Sequence, residues 1–183
     1  KGPNKKKIRQ ALSQASRFYH YYLLHSEEGR DALNYLYSRG ICLEFIKKFR
    51  LGLAPSKMGM MEKVLSQMGF EQEFLELGGL LKRSQKTGRL NDFFTDRILF
   101  PILDPTGLAI GFSSRKFKES TFGGKYVNSP ETPVFKKSRV LFGLHAARRE
   151  IAKQRKVLIV EGQIDALRLN FSGFPLAVAT QGT

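Results

Sequence analysis

The chain of 183 residues is poor in thiols, in imidazoles and in acids. Its one cysteine, Cys42, excludes an internal disulfide and any thiolate cluster. The three histidines, His20, His25 and His145, have no zinc-site spacing with it. Cys42 reads as a small buried hydrophobe, and a reducing, cytoplasmic setting fits it. No apolar run approaches the ~20 residues of a membrane span, and no secretory leader pattern stands out. Acidic residues number 16 against 31 Lys and Arg, and none follows Asp165. A carboxylate-held metal near the end of the chain would therefore need partners that this sequence lacks.

What is abundant is positive charge. The net charge is +15 and the pI about 10.1. It is unevenly spread, with 9 basic and 8 acidic residues over 8–81 but 17 and 6 over 82–156. A basic domain of this kind most often meets a polyanion, usually nucleic acid. The plain alternative is charge that only keeps the protein soluble. The apolar content of 42% is enough to fill a core.

Periodicity divides the chain. Residues 1–10, beginning KGPNKKK, read as a basic linker. Helical spacing starts near Ile8 and runs to about His25, with Leu12, Ala15, Tyr19, Tyr22 and Leu23 inward. Further helices are expected over 28–38, 43–49, 60–68 and 71–77, several of them stopped by glycine. From Leu80 the period changes. RILFPILDPTGLAIGFSSRKF predicts a β-hairpin of 97–103 with 108–115 around a type I DPTG turn. Pro101 inside its first strand implies an edge or a bulge. The segment KESTFGGKYVNSPETPVFKKS is rich in Gly, Pro and Ser, basic, and a loop face suited to phosphates. A helix over 144–154 then leads into KVLIVEGQIDALRLNFSGFPLAVATQGT.

That last stretch predicts a strand at 157–160 buried on both faces, a helix at 163–171 with Ile164, Leu167 and Phe171 on one stripe, and a strand at 176–179. It is one βαβ unit with parallel strands and a right-handed crossover. Glu161 falls at the carboxyl end of the first strand, where ligands bind in open α/β sheets. A carboxylate beside glycine at that place suits Mg²⁺ binding or general-base work, and equally a solvated turn. Asp165, in the first helical turn, suits the helix dipole. The fold class is therefore α+β. A mixed helical and β-hairpin basic subdomain (11–152) is followed by the opening of an α/β domain (153–183).

Four motifs in order resemble bacterial, DnaG-type DNA primases. VLIVEGQIDALRLNFSGFPLAVATQGT is similar to the start of their Toprim domain, which reads close to VVEGYMDV, a helix and AVA-x-LGT. YLYSRGICLEFIKKFRLGLAP resembles YL-x-x-RG ending in F-x-x-G-x-AP. DRILFPILDPTGLAIGFSSR resembles R-x-x-FPI-x-D-x-x-G-x-x-x-GF-x-x-R, and GKYVNSPETPVFKKSRVLFGL resembles PKYLNSPET-x-x-F-K with LYGL. Together the motifs cover nearly the whole chain. The resemblance implies an enzyme that polymerises ribonucleotides into short primers on a single-stranded DNA template. It implies Glu161 as metal-site acid or general base, with Asp165 as a second catalytic acid. It implies nucleotide or template contacts at Arg39, Arg115, Lys125, Tyr126 and Asn128. Mg²⁺ or Mn²⁺ would be held by Toprim carboxylates, most of them outside this chain. Zinc is implied only for a separate N-terminal module absent here.

The implied partners are single-stranded DNA, ribonucleoside triphosphates and, through a region not in this chain, a replicative helicase. No membrane is implied, and the implied setting is the cytoplasm, at the nucleoid and replisome. A further acidic Toprim motif, DxD, would lie beyond Thr183, so the chain alone is expected to be inactive. Three departures from the family pattern stand out. Gln163 replaces the Tyr after EG, Ile164 replaces its Met, and Ser113-Ser114 replaces a Gly pair. Two other readings stay open at this point, another Toprim enzyme (a topoisomerase or an OLD-type nuclease) and a non-enzymatic basic nucleic-acid-binding module. Read alone, Arg115 could pair with Asp92 or Asp96, and Arg97 reads as one half of a structural ion pair.

Overall fold

Helical periodicity near Ile8 is borne out and extends further back. In the computed structural model, which describes residues 4–181, α1 spans Lys5–His25. Asn4 caps it, its Oδ1 accepting from the Lys7 amide at 3.2 Å. Ile8 is fully buried, so residues 5–10 belong to the fold and not to a linker. Residues 1–3 of that expected arm lie outside the described residues. Leu12, Ala15, Tyr19 and Leu23 face inward as the spacing requires, with Tyr22 half-buried. Ser26 ends α1 and caps α2 (Glu27–Ser38), its Oγ accepting from the Gly29 amide at 2.9 Å. Glu27 and Glu28 in the first turn of α2 complement its dipole. In α3 (Leu43–Lys48) the N-cap is Cys42, which is half-buried and so not the core residue expected.

Strand β1 (Gly52–Ala54), helices α4 (Met60–Gln67) and α5 (Gln72–Leu77), and the small hairpin of β2 (Leu81–Arg83) with β3 (Leu90–Asp92) complete the first half. Then β4 (Arg97–Leu103) and β5 (Ala109–Arg115) form the predicted hairpin. Its turn is closed by the Gly107 amide on the Asp104 carbonyl at 2.9 Å. The Asp104 carboxylate also accepts from the Thr106 amide at 2.8 Å. With β6 (Tyr126–Asn128) these strands make one antiparallel sheet, ordered β1-β4-β5-β6. Pro101 is accommodated because β1 pairs only with Arg97, Ile98 and Leu99, which leaves the far end of β4 unpaired on that side. A register shift between Ile102 and Leu103 supplies the expected bulge. Helix α1 packs on the sheet, where the Tyr19 and Phe112 rings meet edge to face at 5.5 Å. Buried Leu12, Leu99, Phe94 and Phe112 form one core cluster, and Leu23, Leu36, Ile98, Phe100 and Phe142 another.

After α6 (Leu144–Gln154), β7 (Leu158–Val160), α7 (Gln163–Phe171) and β8 (Ala177–Ala179) form the expected βαβ unit, with β7 and β8 parallel. Backbone bonds between Phe142 and Ala179 (2.9 and 3.0 Å) tie this unit to the hairpin sheet, as does the Phe142 ring against Phe100. Two expectations fail here. Phe171 leaves the buried stripe of Ile164 and Leu167 and is mostly exposed, its ring meeting Phe45 at 5.4 Å. Strand β7 is not buried on both faces, and Ile159 is 58% exposed. The physical reason is the width of the sheet. Strand β8 is buried between α6 and α7, while β7 is the outer strand and packs chiefly on α7, so its other face meets solvent. No described helix is long and apolar enough to cross a membrane.

Candidate nucleotide and nucleic-acid site

Two neighbouring depressions collect every residue singled out from the sequence. The first is an open cavity of about 500 Å³ at the carboxyl end of β7, lined by Glu161, Gly162, Asp165, Tyr126, Asn128 and Thr180 among others. Glu161 is exposed where the strand ends, and Asp165 is exposed in the first turn of α7. A Cβ on Gly162 would come within 2.8 Å of Asp165 Oδ2. Glycine thus lets the Asp165 carboxylate fold back over the turn beside Glu161. Among the described residues no group of three or more His, Cys, Asp or Glu side chains forms a metal cluster. The acids able to hold a cation at this turn are Glu161 and Asp165. Paired hard oxygen donors of this kind suit Mg²⁺, which keeps several waters and shares its shell with phosphate.

The second depression, about 380 Å³, is lined by Tyr35, Arg39, Arg115, Lys116, Phe117 and Lys125 among others. The register of the sheet sets Arg115 between Ile98 and Tyr126. Its guanidinium carbon lies 5.1 Å from the Tyr35 ring centre and 5.6 Å from that of Tyr126. Arg39 stacks on Tyr35 at 5.3 Å, and Lys125 on Tyr126 at 5.8 Å. Aromatic faces therefore hold three cations close together, an arrangement favoured by the ring quadrupoles. Arg115 is only 7% exposed, and its Nε and Nη1 have no hydrogen-bond partner among the described residues. It pairs with neither Asp92 nor Asp96. A buried guanidinium with free donors is unfavourable unless an anion completes it. Tyr126 lines the first depression and carries the cations of the second, so it joins the two.

A buried polar network ties the acidic turn to the basic sheet. Gln163 Nε2 donates to Ser113 Oγ at 2.9 Å. Ser113 Oγ lies 2.7 Å from Asn128 Oδ1 and 2.8 Å from Gln181 Oε1, and Asn128 Nδ2 donates to the Gln181 carbonyl. One hydroxyl proton cannot serve both amide oxygens. Turning the Gln181 amide over aims its Nε2 at Ser113 and removes a buried donor that otherwise has no partner. Ser113 then donates once, to Asn128, and accepts twice. Two departures from the family pattern, Ser113 and Gln163, thus touch each other. Asn128, expected to contact nucleotide or template, is engaged in this network at the rim of the cavity.

Three features were missed in the sequence. Tyr35 is the shared platform for Arg39 and Arg115, and its place one helical turn before Arg39 was a readable signal. Gln181 joins the network from beyond β8, and nothing local announces it. Arg97, read as half of an ion pair, instead donates through Nη2 to the carbonyls of Phe122 and Gly124, both at 2.8 Å. Burial pulls its pKa below the ordinary value, against the opposing charge of Asp96.

Comparison with known proteins agrees with this geometry. A family model described as the DNA primase catalytic core, N-terminal domain, matches residues 18–148. The DNA primase of Chlamydia pneumoniae is 46% identical over 179 residues, 98% of this chain and 29% of that protein. The chain thus spans under a third of the length of the curated relatives it matches. The RNA polymerase domain of Mycobacterium tuberculosis primase DnaG, in complex with a double-stranded DNA oligomer carrying a 6-nucleotide overhang, superposes with a TM-score of 0.91. It is 36% identical, over 97% of this chain and 55% of that one. A DnaG primase catalytic domain bound to single-stranded DNA gives 0.86 at 34% identity, over 98% and 55% of the two chains. A helical layer on an antiparallel sheet, a stacked arginine cluster and an acidic strand end are common features of many nucleotide enzymes, but the sequence match over most of the length is specific: the chain belongs to the family of the DNA primase catalytic core, in its N-terminal domain.

Proposed function

We propose that this chain is the part of a bacterial primase that holds template and nucleotide phosphates beside the first carboxylates of a Toprim domain. The protein would synthesise short RNA primers on single-stranded DNA by nucleotidyl transfer. The observation that carries the reading is Arg115. With two buried donors unpartnered among the described residues, it lines a basic depression whose cations stack on Tyr126, a residue that lines the cavity of Glu161 and Asp165. Phosphoryl transfer needs fixed cations around the non-bridging oxygens and carboxylates beside them. The division proposed is a basic α+β subdomain up to about residue 152, then the Toprim opening built on β7, α7 and β8.

Each residue then has a task. Arg115 offers a planar fork to a phosphate, and Tyr35 and Tyr126 fix the plane of that fork. Arg39 and Lys125 add point charge at the rim. Asn128 and Gln163 hold the acidic turn in register with the sheet. Glu161 and Asp165 would hold Mg²⁺ or Mn²⁺, which when bound neutralises charge developing on the phosphoryl oxygens. The template would be single-stranded DNA and the substrates ribonucleoside triphosphates. A helicase contact and a zinc module would be carried by other residues of the parent, working in the cytoplasm.

The test is labelled ribonucleotide incorporation on single-stranded DNA by the full-length protein, native and Glu161→Gln. Incorporation should fall by about three orders of magnitude in the variant, in line with the several kcal/mol that such charge stabilisation contributes, while DNA binding persists. Full activity in Glu161→Gln would make that residue a solvated turn. DNA cleavage without incorporation would favour the topoisomerase or nuclease reading. Binding with neither activity would favour a passive basic module.

A further inference from the structure

The loop between β5 and β6 carries an arrangement that the site above does not use. It leaves the sheet at Arg115 and returns at Lys125 and Tyr126, so its tip is continuous with the cation cluster. The Lys116 amide bonds the Lys125 carbonyl at 3.0 Å, which prolongs the ladder one step past β5. At the tip, Phe122 is 97% exposed, while its neighbour Thr121 is buried. A whole phenyl ring in water is unfavourable, and loop tips ordinarily carry small polar residues. A single exposed aromatic is common enough to need no explanation by itself.

The difference here is how firmly the ring is presented. Arg97, only 4% exposed, spends its Nη2 on the Phe122 and Gly124 carbonyls, both at 2.8 Å. A buried cation is thus committed to fixing the backbone on either side of the tip. Asp96 holds the loop from below, accepting from Thr121 Oγ1 at 2.7 Å and from Lys118 Nζ at 3.3 Å. Gly123 adopts φ +94°, and a Cβ there would come within 3.1 Å of Arg97 Nη2, so glycine fits the clamp. The loop is also cationic. Arg115, Lys116, Lys118 and Lys125 stand against Glu119 alone over 115–125. A rigidly held aromatic between lysines, at the edge of an arginine cluster, has the parts of a single-strand stacking platform.

We propose that Phe122 stacks on a base of the single-stranded template, with the lysines of its loop tracking the neighbouring phosphates. The proposal rests on the nucleic-acid reading above. It assigns Phe122 to a base of the polymer and not to the base of the incoming nucleotide.

Anisotropy of a labelled single-stranded oligonucleotide, titrated with the full-length protein across a salt series, tests it. Phe122→Ala should weaken binding about 5- to 100-fold at every salt concentration, as expected for one lost stack, and leave the slope of log K against log salt unchanged. Phe122→Trp should keep native affinity. An oligonucleotide of abasic sites should bind the native protein and Phe122→Ala equally. The KM for ribonucleotides should not move. Lys125→Ala, at the exposed end of the loop, should in contrast reduce the salt slope by about one unit. Unchanged affinity in Phe122→Ala, with native binding intact and salt-dependent, overturns the stacking role and leaves the wider reading standing. The same result with a lowered melting temperature would show the ring packing on another part of the protein, and overturns it too. A raised ribonucleotide KM with unchanged DNA affinity would move the ring to the incoming nucleotide. Absence of salt-dependent DNA binding in the native protein would remove both readings.

Discussion

The cationic and acidic sides of the cleft are built to different standards. The cations sit on a four-stranded antiparallel sheet, with α1 packed across it and Phe100 and Phe112 fully buried beneath. The acids sit at the end of a two-stranded parallel sheet whose β7 leaves Ile159 more than half exposed. On the basic side, position follows from packing, because buried aromatics leave a sheet no alternative register. On the acidic side the packing of Ile164, Leu167 and Ala179 into the core is joined by a few directed bonds among Ser113, Asn128, Gln163 and Gln181. Packing tolerates solvent at its edges, whereas a buried amide network does not tolerate a missing member.

The largest expected effect would sharpen that contrast. Phe112→Ala should cost about 3–5 kcal/mol in urea unfolding, the usual result of emptying a packed aromatic site. Ile159→Ser on β7 should stay within about 0.5 kcal/mol, as for a surface position. Equal losses at the two sites would erase the distinction between the sheets.

Next comes the network. Gln163→Ala should cost about 1 kcal/mol, because it removes one of the three bonds at the buried Ser113 hydroxyl. Combined with Ser113→Gly, which also removes the bonds to Asn128 and Gln181, the total should fall short of the sum of the two single losses, since the Gln163–Ser113 bond can be lost only once. Strictly additive losses in that double-mutant cycle would show that the two residues do not act together.

The smallest effect concerns Asp92, buried on β3 beside the first core cluster. Its Oδ2 accepts from the Gly59 amide at 2.7 Å, while Oδ1 has no partner among the described residues. Burial pushes its pKa above the usual carboxylate range, and the Gly59 bond only partly offsets this. Folding therefore disfavours the charged form of Asp92 relative to the unfolded chain. Its contribution is fully present below the unfolded pKa and is lost as pH rises through the raised folded value. Asp92→Asn keeps the acceptor for Gly59 and removes the buried charge. The melting temperature at neutral pH should rise by roughly 2–4 °C, the shift that ~1 kcal/mol gives at this size, and the decline between acid and neutral pH should flatten. A lower melting temperature in the variant would mean that the charge is stabilising.

These contrasts also explain what could be read in the sequence. Long periodic segments were legible: α1, the hairpin of β4 and β5, and the βαβ unit. The three-residue strands β1, β2, β3 and β6 were not, since so short a run leaves no period and, unlike β7 and β8, they do not flank a helix in a βαβ pattern. Strand β6 lies in a segment that reads as loop, and only its partner β5 makes it a strand. Burial of β7 was misjudged because an apolar run shows composition, while the number of layers around it is a tertiary fact. The acids and the arginines that line the two depressions were singled out through ordered motifs. Tyr35 and Gln181 were not, because their roles depend on residues that meet only after folding.

The bond between Ser113 and Gln163 has a consequence for inheritance. The two positions lie on opposite sides of the proposed domain boundary, yet each is the other's partner. They form one character divided between two stretches of gene. The family pattern that the motifs resemble has a Gly pair and a Tyr at these places, and glycine offers no hydroxyl for this bond. A chimaera joining the hairpin of one kind to the strand and helix of the other would place glycine opposite Gln163, or tyrosine opposite Ser113. The first junction leaves the buried Gln163 amide without its partner directly behind the acidic turn, and the second removes one of three bonds at Ser113. Recombination at that boundary is therefore constrained by a single hydroxyl, whatever the similarity of the two parents elsewhere.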